Sequence, residues 1–495
     1  MSVIWNSRTT LALATLATII ACESSGAAPG GPERDLDVIP PEILSQTPLH
    51  RDPEVSVHQP IEVKFSERVR LSDSAPATLF ANTGETDVPV PTTVRLSPDG
   101  TVLTIEPTAP LAAPAAYSVR FGDIRDEAGN GLVAAPWEWK APLWLRVGQP
   151  LEDAGDISSS MIVAGPGEQV TVGSTVTVNF PDQRLLVHTL QQSNGKWSLL
   201  DNRLKIDSRN APSLFLDKEL GLTALISDQE NHVVLDQWLD TKWQKYGPGY
   251  SVDLLTAPSV KQTKDGERFV AYTAPRPEPE SGTDIVVVHG SDSSRLGGPV
   301  NGDDEVVTSV GLISLAMDRQ GTPYVAYSAD SFSGRLRYWS QGRWALLAPT
   351  VTSPGDNTTI RQITVDDAGT PFVLVDISEG APKHEHRSQI RRFDGDRWIN
   401  CGERLEMEDR TVPAYFGPAL DGHIFAAMTV RNYSAEVPDK FLTLDVTRDG
   451  WTAIAPPVDA LPRFSTRVSG TVDGRGAPIL AWYEGSVVHL RRLNR

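Results

Sequence analysis

Short apolar runs separated by polar turns follow one another through most of this chain. One pattern is clearest in three copies, at residues 318–327, 366–375 and 473–482. In each copy an Asp opens a four-residue turn and a Gly closes it, because the Asp side chain bonds back to the backbone and Gly accepts a positive φ. The apolar run that follows is typical of a buried strand. No stretch keeps a 3.6-residue apolar period, so we expect almost no helix beyond the N-terminus.

The turn glycine and a tryptophan both recur about every 50 residues. The glycine falls at Gly167, Gly221, Gly266, Gly321, Gly369, Gly422 and Gly476. The tryptophan falls at Trp144, Trp197, Trp243, Trp344, Trp398 and Trp451. The interval between Trp243 and Trp344 spans two periods, with the tryptophan missing near Arg295. A period of this length, marked by one aromatic residue and one turn, indicates a β-propeller or a similar array.

Each period predicts four short strands, A to D. Strand A precedes the glycine turn and strand B follows it, strand C precedes a second turn such as Gln341-Gly342, and strand D carries the tryptophan. The chain ends at Arg495, before the next D strand is due, and a lone D-like strand stands at about 143–150. We therefore expect residues 143–495 to form a seven-bladed β-propeller, closed because that strand completes the last blade. Seven unrelated β repeats, or an open array, are the alternative.

The N-terminus resembles a lipoprotein signal. An apolar segment at 10–20 is too short to span a bilayer, and it ends Ile19-Ile20-Ala21-Cys22, which resembles the bacterial lipobox. The resemblance implies that residues 1–21 are removed and that lipid on Cys22 anchors the chain to a membrane. Glu23 favours the outer membrane of a bacterial cell envelope. The alternative is an ordinary secretory signal with a chance Cys. Residues 22–37 are rich in Gly, Ser, Pro and Ala, so they predict a flexible tether.

Residues 38–142 predict a separate β-sandwich, because short alternating strands lie between closely spaced turn signals. Its ordered segments, including those at 61–69, 94–107 and 117–121, closely resemble bacterial Ig-like domains of the SbsA type. The resemblance covers nearly all of this segment and implies a spacer or adhesive module. Two interpretations are open for Asp123, Asp126 and Asn130: they form a cation-binding loop, or they form a turn before the last strand. The junction at 140–142 leaves almost no linker, so we expect the two domains to be fixed to one another.

Charge and cysteine content exclude several functions. The formal charge is −18, which makes the chain a poor partner for nucleic acid or anionic lipid. With Cys22 lipidated, Cys401 stands alone, so no internal disulfide is expected; a packed apolar side chain and a nucleophile are its two interpretations. His384 and His386 offer two imidazoles where zinc needs three or four ligands. We expect no cofactor, no metal and a monomer.

Long, dissimilar B–C loops point to one face of the ring. They lie at 274–283, 377–388 and 431–440, and the D–A connections at 301–305 and 354–358 add acidic and polar groups to the same face. Insertions concentrated on one face of a repeat array usually mark its binding surface. The residues predicted to contact a ligand there are Asp303, Asp304, His384, His386, Arg431, Tyr433 and Lys440.

Three functions remain open. The first is a lipid-anchored envelope protein whose Ig-like spacer presents a propeller that binds a protein or glycan without catalysis. The second is a propeller hydrolase or lyase acting on polysaccharide, which predicts acidic residues of perturbed pKa at the channel mouth. The third is an envelope assembly or structural component, which predicts a large exposed apolar patch. No nucleophile elbow or phosphate loop is present in the sequence, so we expect the first.

Overall fold

The chain is all-β. The computed structural model describes residues 37–495 except for short segments, at 72–74, 83, 85, 153–155, 166–168, 180–181, 192–194, 207–211, 218–220, 228–231, 252–257, 264, 277–280, 291–292, 303–304, 306, 308–309, 330–332, 348–350, 352–356, 379–385, 407–410, 420–421, 431–438, 459 and 462–467. The described residues form 41 strands and no α-helix. None of the described segments is a helix long and apolar enough to cross a bilayer. The predicted signal, tether and Cys22 lie outside the described residues.

The N-terminal strands form a β-sandwich. They are β1 Ile43–Thr47, β2 Ile61–Phe65, β3 Val69–Leu71, β4 Ala77–Asn82, β5 Asp87–Val90, β6 Thr92–Leu96, β7 Val102–Pro107, β8 Ala115–Phe121, β9 Ile124–Asp126 and β10 Trp137–Ala141. One sheet has the order β1-β2-β7-β6, the other β10-β8-β4-β5, and β3 pairs with β9. Alternating residues of β2 and β10 are buried, and their side chains join one core around Trp137 and Trp139. This is the Ig-like arrangement that the strand alternation predicts.

Seven sheets follow, one per repeat. The strands are β11 Trp144–Arg146, β12 Leu151–Glu152, β13 Asp156–Ala164, β14 Val170–Asn179, β15 Asp182–Gln191, β16 Lys196–Ile206, β17 Ser213–Asp217, β18 Gly221–Ser227, β19 His232–Leu239, β20 Lys242–Ser251, β21 Ser259–Gln262, β22 Arg268–Pro275, β23 Thr283–His289, β24 Ser294–Arg295, β25 Ile313–Met317, β26 Pro323–Ala329, β27 Ser333–Ser340, β28 Arg343–Leu346, β29 Asn357–Val365, β30 Pro371–Ser378, β31 His386–Phe393, β32 Trp398–Asn400, β33 Leu405–Glu406, β34 Thr411–Pro418, β35 Ile424–Val430, β36 Asp439–Val446, β37 Trp451–Ile454, β38 Ala460–Leu461, β39 Ser469–Val472, β40 Pro478–Glu484 and β41 Val487–Leu493.

Each sheet is an antiparallel blade in chain order. Blades one to six begin at β13, β17, β21, β25, β29 and β34, and β39-β40-β41 begin blade seven. The fourth strand of blade seven is β11, whose Trp144 lies opposite Leu493 of β41. The predicted closure by the strand near 143–150 is therefore confirmed. Each sheet is itself open, and the ring is completed by packing between blades.

Apolar clusters join every blade to the next. One cluster contains Val172 of blade one with Ile479 of blade seven, and another contains Phe425 of blade six with Leu480 of blade seven. Five more clusters join the remaining neighbours in order. Because each blade buries both faces against its neighbours, the ring has one continuous apolar layer.

Four of the six repeated tryptophans make the same hydrogen bond to a neighbouring blade. The indole Nε1 of Trp197, Trp344 and Trp451 donates to a backbone carbonyl 48 residues earlier in the chain, on Gln149, Leu296 and Glu403 respectively. Trp144 makes the corresponding bond across the closure, to the carbonyl of Ala455 at 2.7 Å. The indole nitrogens of Trp243 and Trp398 are buried without a hydrogen-bond partner among the described residues. All six indoles nevertheless pack in the apolar clusters between blades, as their regular spacing predicts.

The two domains are joined by the C-terminal residues. The Asn494 side chain is 2 % exposed; its Oδ1 accepts from Val57 N at 2.9 Å, and its Nδ2 donates to the carbonyls of Val55 and Pro142. Beside it, Glu54 of the sandwich pairs with Arg491 of β41 at 2.8 Å. These contacts fix the sandwich against the ring at blade seven.

Candidate binding face

We call the face of the ring that carries the B–C loops at 274–283, 377–388 and 431–440 the long-loop face. Of the seven residues predicted to contact a ligand there, two lie at strand ends on this face and five lie outside the described residues. Asp303, Asp304, His384, Arg431 and Tyr433 are among the residues that the structure leaves undescribed. His386 opens β31 opposite Ser378, and only its backbone is described. Lys440 is exposed on β36, opposite Val430. His386 and Lys440 thus stand at the same end of the third strands of neighbouring blades.

A polar network occupies this face between blades three and four. Glu305, in the D–A connection, accepts a hydrogen bond at Oε2 from Tyr327 Oη and another from Arg337 Nη2, both at 3.1 Å. Its Oε1 lies 2.7 Å from Arg335 Nη1. Arg337 Nε also donates to Tyr327 Oη at 3.2 Å. One carboxylate therefore holds three side chains of blade four against the connection that precedes that blade.

Two further side chains fix the same connection from blade three. Arg276 Nη2 donates to the carbonyls of Gly302 and Glu305, and its Nε pairs with Asp284 at 2.7 Å. Asn301, fully buried, accepts from Ile285 N and donates to the carbonyl of Glu305. The described residues that flank Asp303 and Asp304 are consequently held on both sides by charged hydrogen bonds, which are the stronger kind.

Burial sets the protonation of the network. Desolvation first, and then the negative charge of Glu305, raise the pKa of Tyr327 to about 12, so the phenol stays protonated at neutral pH. Desolvation alone would lower the pKa of Arg337, but Tyr327 and Glu305 outweigh it and raise that pKa. The Arg335 side chain is 33 % exposed, against 17 % for Arg337, so Arg335 is the more exposed cation of the network. The network is therefore a hydrogen-bonded support in which Arg335 is the cation that solvent reaches most readily.

A smaller pair of the same kind lies on blade five. Arg361 sits at a bulge in β29 and its Nε pairs with Asp376 Oδ2 at 2.6 Å. The other oxygen of Asp376 accepts from Ser388 Oγ at 2.7 Å. Asp376 and Ser388 stand near the ends of β30 and β31 that the long B–C loop connects. This pair braces the base of the second long loop.

Sequence reasoning missed Glu305, Tyr327, Arg335 and Arg337 as a group. Arg335 and Arg337 alternate along one strand, which places both on one face of the sheet. This spacing is the sequence pattern that indicates that the two arginines act together. Their common partner lies 32 residues before Arg337 in the chain, in an irregular connection, so periodicity gives no pairing.

The possible cation loop of the sandwich shows turn chemistry. Asn130 donates to Asp126 from its backbone N at 2.7 Å and from its Nδ2 at 2.6 Å. Asp123 instead pairs with Arg125 at 2.8 Å. Carboxyl oxygens of Asp37, Glu67 and Asp126 lie within 4.8 Å of one another. Desolvation first, then Asp37 and Asp126, raise the pKa of Glu67. Because Asn130 donates to both carboxyl oxygens of Asp126, Asp126 acts in the turn.

Fold and site together define the class: an Ig-like sandwich fixed to a seven-bladed propeller with a braced long-loop face. Residues 37–140 match the family described as bacterial Ig-like domain. No curated protein matches the chain.

Solved structures with a similar arrangement of strands include several glycan-related proteins. An ulvan lyase, a polysaccharide lyase, has a TM-score of 0.43 and 11% identity, covering 69% of this chain and 95% of that one. A fucose-specific lectin from Aleuria aurantia has a TM-score of 0.36 and 13% identity, covering 63% and 98%. A Hadza microbial sialidase has a TM-score of 0.38 and 10% identity, covering 90% and 98%. At such scores the likeness carries no argument about activity.

Proposed function

We propose that this protein is a lipid-anchored component of the bacterial cell envelope, held at the outer membrane through Cys22. Its Ig-like domain acts as a spacer that presents the propeller, and the propeller binds a protein or glycan through the long-loop face without catalysis. In this proposal the ligand contacts come from Asp303, Asp304 and the residues at the ends of β31 and β36.

The observation that carries the proposal is the network around Glu305. Glu305, which follows Asp303 and Asp304 in the chain, is held on one side by Arg276 and Asn301 and on the other by Arg335, Arg337 and Tyr327. A braced loop loses little conformational entropy when a ligand binds, so more of the contact energy appears as affinity. Surface loops held by a rigid scaffold are the usual location of binding residues.

The protonation of this network favours binding over proton transfer. Guanidinium groups remain charged at any working pH. The pKa of Tyr327, raised to about 12, leaves the phenol protonated and therefore a poor base. The described groups are thus suited to fixed hydrogen bonding and charge.

The test is a glycan-array and envelope-extract binding screen with soluble protein that starts at residue 23. Binding should weaken at least about tenfold, or about 1.4 kcal/mol, in an Asp303→Asn, Asp304→Asn double variant and in a variant with the three long B–C loops shortened. The matched control is Asp367→Asn, an exposed acid in the A–B turn on the opposite face, which should bind like the wild type.

Two results would contradict the proposal. Binding that survives both loop variants would move the site away from this face, and release of shortened glycan would make the protein an enzyme. The anchor is tested in the same strain: the wild type should sediment with outer membranes, whereas Cys22→Ser should be absent from them.

A further inference from the structure

A cavity of about 850 Å³ opens in the middle of the ring, toward the short A–B turns and away from the long-loop face. Inner strands of blades one, two, three and seven line it, together with Ala414 of blade six. Its size falls in the range of small-molecule sites. The first strands are the inner edges of their sheets, so strand pairing does not use the backbone groups on their free side. Such a group can bond a side chain of the next blade, as the Leu216 carbonyl does with Gln262 Nε2, or a ligand.

One cation points into a ring of otherwise neutral side chains. In blades three to seven, one residue of the first strand occupies the same position in each blade. It lies opposite the residue three positions after the turn glycine. These residues are Lys261, Ala316, Thr364, Gly417 and Thr471. Lys261 alone among the five is charged, and it lines the cavity. Because its equivalents are small and neutral, packing between blades does not require a lysine at this position.

The charge of Lys261 is not compensated within the described part of the chain. Desolvation lowers the pKa of its ammonium group, and no neighbouring carboxylate offsets that effect. Asp473 is the one carboxylate among the described residues that line the cavity. Its Oδ1 accepts turn hydrogen bonds from Arg475 N and Ala477 N, and its Oδ2 lies 3.6 Å from Arg492. A desolvated charge is costly unless it is paired.

An unused hydroxyl lies on the wall contributed by blade seven. Ser259 Oγ accepts from Leu315 N and Ser314 Oγ accepts from Ile363 N, so in blades three and four this position bonds the next blade. Ser469 is register-equivalent to both, since all three lie opposite an alanine five positions after the turn glycine. Its Oγ is buried and has no hydrogen-bond partner among the described residues. Buried hydroxyls normally have a partner.

We propose that the cavity is a second binding site, separate from the long-loop face, for a small hydroxylated carboxylate such as a sugar acid. The carboxylate pairs with Lys261, and a hydroxyl of the ligand bonds Ser469 on the opposite wall. The remaining hydroxyls bond the edges of the inner strands. One cation selects for one negative group, and the several backbone and hydroxyl groups select for a polar ligand.

The experiment is isothermal titration calorimetry on residues 23–495 at constant ionic strength. Lactate, gluconate and glucuronate are the probes, glycerol and glucose are their neutral counterparts, and sulfate is the inorganic control. At least one hydroxycarboxylate should bind while its neutral counterpart does not. Binding should weaken at least tenfold in Lys261→Met and less in Lys261→Arg. Ser469→Ala should weaken it several-fold. Lys242→Met, at the exposed first residue of β20, is the matched control.

Thermal unfolding without ligand separates binding from folding. Lys261 is partly buried and has no charged partner among the described residues, so Lys261→Met should unfold at a temperature equal to or above that of the wild type. Three outcomes would overturn the proposal: no probe binds more tightly than about 10 mM, a scale of roughly 3 kcal/mol; sulfate binds as tightly as the carboxylates; or Lys261→Met unfolds at a clearly lower temperature. None of these results bears on the long-loop face, because the two sites share no residue.

Discussion

The Asp of the A–B turn makes the same hydrogen bonds to its own backbone in several blades, as the sequence pattern predicts. Asp318 Oδ1 accepts from Gln320 N and Thr322 N, and Asp366 and Asp473 accept in the same way from their own turns. The closing glycines of those turns have positive φ, for example 84° at Gly321. The pattern is predictable because each bond spans only two to four residues.

Cys401 is a packed apolar side chain in the ring. It is 1 % exposed, and its Sγ donates to the carbonyl of Thr447 at 2.9 Å. Burial raises the pKa of the thiol to about 11, so at pH 8 only about one molecule in a thousand carries a thiolate. We expect soluble protein lacking Cys22 to resist iodoacetamide at pH 8 and to react fully in urea, as mass spectrometry would show. Rapid labelling of the folded protein would contradict this, with Cys401→Ser as the unreactive control.

At the scale of elements, the lattice of tryptophans predicted the closure because a missing strand at one end matched a spare strand at the other. The structure adds how the spare strand is held. Trp144 is 8 % exposed, its ring packs edge-on against Phe425 of blade six at 6.2 Å, and β12 also pairs with β41. The strand therefore joins blade seven by backbone pairing and blade six by its side chain.

Removal of the Trp144 side chain should weaken the whole ring. We expect Trp144→Ala to cost about 3–5 kcal/mol of unfolding free energy, because a buried indole and its hydrogen bond are both lost. Urea unfolding followed by circular dichroism measures it. Trp451→Ala is the control, since that indole makes the same bond from a more exposed site within a covalently continuous blade. A smaller loss for Trp144→Ala than for Trp451→Ala would contradict its role in closure.

At the scale of the molecule, the two domains form a continuous hydrogen-bonded unit rather than two bodies on a tether. The near absence of a linker at 140–142 predicted a fixed junction. The sequence did not predict that Asn494, 437 residues away from Val57, would fasten it. Nothing in a local pattern marks an Asn as an interdomain bond.

Asn494→Ala should loosen the junction without unfolding either domain. Three hydrogen bonds are lost and the backbone groups of Val55 and Val57 stay buried, which costs about 2–4 kcal/mol. We expect calorimetry to resolve two thermal transitions where the wild type shows one, and protease to cut near 142. The matched control is His58→Ala, which removes one exposed bond to the carbonyl of Arg495. A single unchanged transition in Asn494→Ala would contradict this account.

The sequence by itself determined the strand order, the two domains and the closure of the ring. These depend on turns, alternation and a repeated indole, all of which are local or periodic. Only the tertiary structure decided the rest: Glu305 with its three partners, Asn494 in the junction, and Lys261 in the central cavity. Glu305 and Asn494 bond groups on another blade or in the other domain, which the fold brings within about 3 Å. Lys261 is a candidate ligand contact because the fold places no carboxylate of the described residues beside it.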